Sequence, residues 1–197
     1  MTEPTLRRGH VFIISGPSGA GKDSVIERLH QLVPLDHVIT MTTRAPRATE
    51  IPGVSYRFAT VAEFLAMRDR GDLLEYAEVY GNWYGVPADT VRASVAAGRD
   101  VLIKVDLQGA STIKRLLPDA TFIFIRPSSP EELVGRLRAR ASETEAELAL
   151  RVQTAQQELA EQIWFDYVVE NPDGGLDAAV AQVRDIITTI TYAKETP

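Results

Sequence analysis

The feature that most restricts this chain is the run VFIISGPSGAGKDSVIERL, residues 11 to 29, where an apolar stretch leads into a glycine-spaced turn and then an apolar pattern of helical period. Val11, Phe12, Ile13 and Ile14 suit a strand buried on both faces. Val25, Ile26, Leu29, Leu32 and Val33 recur as one helix face does. Between them Gly16, Gly21 and Lys22 give the spacing G-x-x-x-x-G-K. A strand, a tight turn and a helix start, in that order, point several backbone N–H groups at one anion. The expectation is a nucleotide-phosphate loop built from Gly16, Pro17, Ser18, Gly19, Ala20, Gly21, Lys22 and Asp23. Lys22 is expected to place a mobile cation on the β- and γ-phosphates, with Ser18 or Ser24 as further hydroxyl donors. Asp23 is the departure, because the usual loop has Ser or Thr after the lysine. Two roles stand open for it: an oxygen near Mg²⁺, reached through water, or a carboxylate of the first helical turn facing solvent.

The rest of the chain alternates strand and helix. Core strands are expected at VLIKV (101 to 105), TFIFI (121 to 125) and YVVE (167 to 170). Helices are expected near 87 to 98, 108 to 116, 129 to 163 with a break near Ala141, and 175 to 192. This rhythm predicts an α/β fold, a parallel sheet flanked by helices. With 197 residues, 45% of them hydrophobic, the chain suits one domain with a core and small insertions. The core is expected from 9 to 37, 86 to 125 and 152 to 197. Short β-like pieces (HVITM, YRF, LLEYAEV, NWYG) around the helical stretch VAEFLAMRDRG mark 38 to 85 as an inserted lobe. From 126 to 151 arginines and glutamates interleave, the pattern of a solvated, salt-bridged helical hairpin or a lid.

Composition removes several functions. The formal net charge of -6 disfavours nonspecific nucleic-acid binding, which needs broad positive surfaces. No apolar run approaches the ~20 residues of a membrane span, and the chain has no cysteine for disulfides or thiolate metal sites. His10, His30 and His37 have no metal-ligand spacing. The opening MTEPTLRRGH reads as a short arm rather than a signal peptide, so a cytoplasmic protein is expected.

The stretch TMTTRAPRATEIPGVSYRF, 40 to 58, resembles the GMP-binding segment of guanylate kinases, and the similarity continues through LLEYAEVYGNWYGVP, VDLQGA, RLRARASETEAELALR and VVENPD in the same order. The resemblance implies phosphoryl transfer from ATP to GMP, and to dGMP, with Mg²⁺ bound to the ATP and 38 to 85 as the GMP-binding lobe. Arg44 and Arg47, with the hydroxyls of Tyr56 and Tyr84, suit a dianionic monophosphate. By resemblance, Glu75 accepts from guanine N1–H and its exocyclic amine, and Thr40 donates to O6. Asp106 resembles a residue at the boundary of the two nucleotide sites, or serves as a cap on the Gln108 turn. Lys22, Arg44, Arg140 and Arg151 are the implied catalytic residues, with Arg136 assisting at ATP. Asn171 resembles a residue near the adenine, or shapes the turn before Pro172. Three departures stand out: Val86 for a Ser or Thr, Thr49 for a Gly before Glu50, and Ala141 for a Gly after Arg140. Two other readings compete. A ribose bisphosphate kinase of phosphonate metabolism also carries G-K-D-S, but lacks the T-T-R-x-P-R segment and the base-reading glutamate. A non-catalytic guanylate-kinase-like binding module usually has a degraded phosphate loop.

Overall fold

The computed structural model of the chain describes residues 8–47, 50–79, 81–139 and 145–195. Its larger sheet has five strands in the order β2-β7-β1-β8-β9, where β1 is Val11–Ser15, β2 Asp36–Val38, β7 Val101–Lys104, β8 Thr121–Arg126 and β9 Tyr167–Glu170. The chain forms two compact units, Met1–Ile13 with Leu35–Ala120, and Ile14–Pro34 with Thr121–Pro197, so the division falls inside β1.

In the first unit β2 pairs in parallel with β7, Asp36 opposite Val101 and Val38 opposite Ile103. A second sheet follows, with order β4-β3-β6-β5, made of β3 (Met41–Thr42), β4 (Arg57–Phe58), β5 (Leu73–Val79) and β6 (Asn82–Pro87). The piece HVITM, read as one segment of the lobe, is therefore divided. Its start belongs to β2 in the large sheet, its end is β3, and Ile39 and Thr40 lie between the strands. Helix α2 (Val61–Asp69) starts at Thr60, whose hydroxyl accepts from the Glu63 amide while the Glu63 carboxylate accepts from the Thr60 amide. Such a reciprocal cap stabilises a helix start by about 1 kcal/mol. Phe64 of α2 is fully buried against Met41 and Leu73, and stacks on Trp83 with ring centroids 5.9 Å apart. Helix α3 (Ala88–Ala96) follows β6, and α4 (Leu107–Leu116) follows β7 and packs on β5.

The second unit carries the loop that joins β1 to α1 (Lys22–Leu29), then β8, α5 (Pro130–Ala139), α6 (Glu145–Ala160), a short 3-10 turn Glu161–Trp164, β9 and α7 (Leu176–Glu195). Strands β8 and β9 are parallel, with Ile123 opposite Tyr167. Phe122, Ile123, Phe124 and Ile125 of β8 are buried without exception, and Phe165 meets Phe124 edge-on at 4.9 Å. Helix α1 buries Val25, Ile26 and Leu29, and packs on α7, which buries Val180, Val183 and Ile187 along one face. Arg140, Ala141 and Thr49 lie outside the described residues. Arg151 is part of α6, and its side chain also lies outside them.

Candidate active site

The loop expected to take the nucleotide phosphates belongs to the second unit, and its shape rests on glycine where no side chain fits. Gly16 has φ of +139°, and a Cβ there would stand 2.0 Å from the carbonyl oxygen of Ile125 in β8. Gly21, at the start of α1, has φ of +86°, and a Cβ would meet Asn171 Nδ2 at 2.2 Å. The loop can therefore lie against neighbouring strands only as bare backbone. Lys22 folds back over it, donating to the carbonyls of Gly16 at 2.6 Å and Pro17 at 2.9 Å.

Asn171 and Arg136 hold the same loop from behind. Asn171 is buried, donates through Nδ2 to the Ala20 carbonyl at 2.9 Å, and donates its amide to the Arg126 carbonyl at 2.7 Å. Arg136 donates to the Asn171 carbonyl (2.7 Å), Glu132 (2.6 Å) and Asp173 (2.9 Å), and reaches toward the Gly19 carbonyl at 3.4 Å. Burial works against the charge on Glu132, but the Ser128 hydroxyl and amide, with Arg136, outweigh it and hold the carboxyl well below its usual range. Asp23 is exposed in the first turn of α1, where the helix dipole favours a negative charge.

The lobe residues gather in the first unit. Arg44 Nε donates to the Tyr84 hydroxyl at 3.3 Å, and its Nη2 donates to both oxygens of Glu50, at 2.6 and 2.9 Å. Its guanidinium lies 5.7 Å from the centre of the Tyr56 ring, which meets the Tyr84 ring edge-on at 6.0 Å. Arg47 is joined to this group through Glu50, which accepts from the Arg47 amide at 2.8 Å. Burial opposes the Glu50 charge, yet its bonds from Arg44 and the Arg47 amide hold the carboxyl below its ordinary range.

Glu75 occupies the core-facing side of β5, between Leu73 and Ala77 in an alternating pattern, and is only 4% exposed. Its partner across the sheet is Val86 of β6, which is fully buried. Directly opposed residues share a face, so the departure noted at Val86 places apolar surface beside the carboxyl. On the other side lies α4. A Cβ on Gly109 would come within 2.9 Å of the Glu75 carboxylate, so the glycine in VDLQGA is what seats Glu75 against that helix. Asp106 caps α4, accepting from the Gly109 amide at 2.7 Å. Burial, and then the Asp106 carboxylate, push Glu75 up to about 8. Thr40 is buried, and its carbonyl accepts from the Arg57 amide at 2.9 Å.

The structure thus brings together Arg44, Arg47, Tyr56 and Tyr84, and separately Glu75 and Asp106. Two residues of this half did not stand out in the sequence. Glu50 lies inside the lobe motif and reads there as loop. Lys104 is the lone charge in an apolar strand, and its ammonium lies 4.1 Å from the centre of the Tyr56 ring. A charged residue in a strand meant to be buried on both faces was the available signal.

Comparison with known proteins gives the family. The family model described as guanylate kinase matches residues 8–190. The chain is 47% identical over 179 residues to guanylate kinase 2, chloroplastic/mitochondrial, of Oryza sativa subsp. japonica, covering 90% of this chain and 63% of that protein. It is 44% identical over 176 residues to the guanylate kinase of Nocardia farcinica, covering 88% of this chain and 91% of the relative. Among solved structures, guanylate kinase from Anaplasma phagocytophilum superposes with a TM-score of 0.74 at 30% identity, over 96% of this chain and 88% of the other. A glycine-shaped phosphate loop, a paired-arginine lobe and a family match across both units have one common reading: this chain belongs to the guanylate kinase family.

Proposed function

We propose that this protein transfers the γ-phosphoryl group of ATP to GMP, and to dGMP, releasing ADP and GDP or dGDP, as a step of purine nucleotide metabolism in the cytoplasm. The observation that carries the reading is Glu75. A carboxyl on the core face of a strand, seated on a glycine and lined by Val86, is unfavourable for stability unless a ligand uses it. Guanine offers two adjacent donors, N1–H and the exocyclic amine, which one carboxylate accepts together. Adenine lacks that pair. Thr40 completes the base pocket as donor to O6, with Asp106 at its border.

The acceptor phosphate falls to Arg44, Arg47, Tyr56 and Tyr84, whose guanidinium forks and hydroxyls match its oxygens. The donor triphosphate falls to the amides of Gly16 to Asp23 and to Lys22. Arg136 and Asn171 act behind them by fixing the loop backbone. Transfer breaks the bond between the γ-phosphorus and the oxygen bridging it to the β-phosphate, and forms one from the same phosphorus to a GMP phosphate oxygen. Little covalent chemistry is asked of the protein, so positioning and charge neutralisation carry the rate. Two anions must be brought together, so we assign 38 to 85 as the acceptor lobe and 126 to 151 as a lid whose Arg140 and Arg151 close over ATP. Mg²⁺ bound to the ATP supplies charge neutralisation on the phosphates. Asp23, exposed in the first turn of α1, would offer that ion a hard oxygen through water.

A coupled assay of ADP release with GMP, AMP and ribose 1,5-bisphosphate tests the assignment. Turnover with GMP alone is expected. Preference for the bisphosphate, or no turnover with any acceptor, would remove it. Cell fractionation tests the compartment.

A further inference from the structure

Lys104 ends β7, whose other residues are fully buried apolar side chains, and is itself 7% exposed. An ammonium in such surroundings is unfavourable unless its neighbours favour the charge. The face of the Tyr56 ring, 4.1 Å from Nζ to its centroid, is one such neighbour. The same ring takes the Arg44 guanidinium at 5.7 Å and the edge of Tyr84 at 6.0 Å. One aromatic ring thus joins a buried lysine to the side chains assigned to the acceptor phosphate.

We propose that Lys104 is a positioning residue for the acceptor phosphate, its buried ammonium fixing the Tyr56 ring and adding positive charge to the group formed by Arg44, Arg47, Tyr56 and Tyr84. The inference rests on the reading of that group as the GMP phosphate site. A cation over the ring face restrains the plane of the Tyr56 ring, and so limits where its hydroxyl oxygen can lie. A charge in low-dielectric surroundings also attracts a dianion over distances at which a surface lysine is screened. Its place supports the same role. Parallel sheets collect their ligands beyond the carboxyl ends of their strands, and Lys104 is the carboxyl end of β7, just before the Asp106 cap.

The test separates phosphate from base. Lys104→Met keeps the length and apolar bulk of the stem and removes the charge, whereas Lys104→Arg keeps a cation. Calorimetry with GMP, guanosine and ATP is run on parent and variants, with a thermal melt of each. Lys104→Met is expected to weaken GMP binding about 5- to 30-fold, the scale of one desolvated cation–aromatic contact, and to leave guanosine and ATP within about 2-fold. Lys104→Arg should hold GMP within about 3-fold of the parent. Parent-like GMP affinity in a folded Lys104→Met overturns the proposal. Equal loss for GMP and guanosine also overturns it, since that makes Lys104 a support for packing alone. If Lys104→Met does not fold, Lys104→Gln with the same ligands decides by the same criteria. A parent that binds GMP no better than guanosine overturns the phosphate reading of the whole group, and the proposal with it.

Discussion

In the unit that carries the glycine loop, the loop itself is held through its main-chain oxygens, although Arg136 also bonds to the Glu132 and Asp173 carboxylates. Lys22 bonds to Gly16 and Pro17, Asn171 to Ala20, and Arg136 to the Asn171 carbonyl. In the unit that carries the lobe the side chains are tied to one another: Arg44 to Glu50 and Tyr84, Lys104 to Tyr56, Glu75 to Asp106 through charge. Backbone presents the same groups whatever the sequence, and triphosphates are alike in all nucleotides. Discrimination between bases needs side chains, so on the proposed reading the half assigned to GMP is the half expected to choose.

The sharpest way to break this contrast is at Lys22. Lys22→Met removes a charge from a backbone-built site, and should lower kcat by about 10³-fold, the scale of losing one electrostatic stabiliser of the transferred group. GMP affinity should hold, as calorimetry would show. Comparable loss of GMP binding would mean that the halves are not independent.

Glu75→Gln attacks the other half. It turns a double acceptor into a mixed donor and acceptor facing guanine's donors, and should reduce kcat/KM for GMP by about 10- to 1,000-fold while ATP affinity stays. Unchanged GMP kinetics in a folded variant would take Glu75 out of the base pocket.

The same carboxyl makes a pH test with two opposite signs. Guanine needs the carboxylate, but burial and Asp106 raise the folded group from 4.5 to about 8. Guanosine, which has no phosphate to titrate, should bind about tenfold more tightly per pH unit up to that value and level off above it. Stability runs the other way. Between 4.5 and about 8 the folded state holds a proton that the unfolded state has lost, so this group's contribution falls as pH rises through that window. Glu75→Gln should flatten both profiles. Guanosine affinity independent of pH in the parent would show that the carboxyl titrates elsewhere or does not meet the base.

Asp23→Ser should have the smallest effect. If the carboxylate serves the metal, the variant binds metal-free ATP a few-fold more tightly and needs more Mg²⁺ for half-maximal rate, since a charge facing bare phosphates is repulsive by about 1 kcal/mol in water. An unchanged affinity ratio with and without Mg²⁺ leaves Asp23 as a helix-start residue.

What the sequence discloses is local. The order strand, glycine turn, helix is readable because each piece follows the last along the chain, and so are β8, β9 and the helices α5 and α6, expected as 129 to 163 with a break near Ala141. The division of HVITM between two sheets is not, because periodicity says that a residue is extended without saying which strand it pairs with. Asn171 meets Ala20 across the sheet, a contact made by closing the fold rather than by any spacing. Its two sequence readings, near adenine or in a turn, both missed the bond to the loop. Lys104 passes in VLIKV as one more strand residue, and its meaning depends on Tyr56, which reaches it from the segment just before β4.

The carboxylate of Glu50 has one further consequence. It accepts two short bonds from Arg44, where the proposed function puts the acceptor phosphate. Any visitor must outcompete a tethered rival, whose effective concentration is roughly millimolar or higher. On the proposed reading, inorganic phosphate or sulfate entering this group must first displace Glu50 from the Arg44 fork. By the same reading, a nucleotide whose base reaches Glu75 would bring further binding toward displacing the resident. If Arg44 serves the acceptor phosphate as proposed, Glu50 is the resident competitor that sets how much binding an incoming anion must bring.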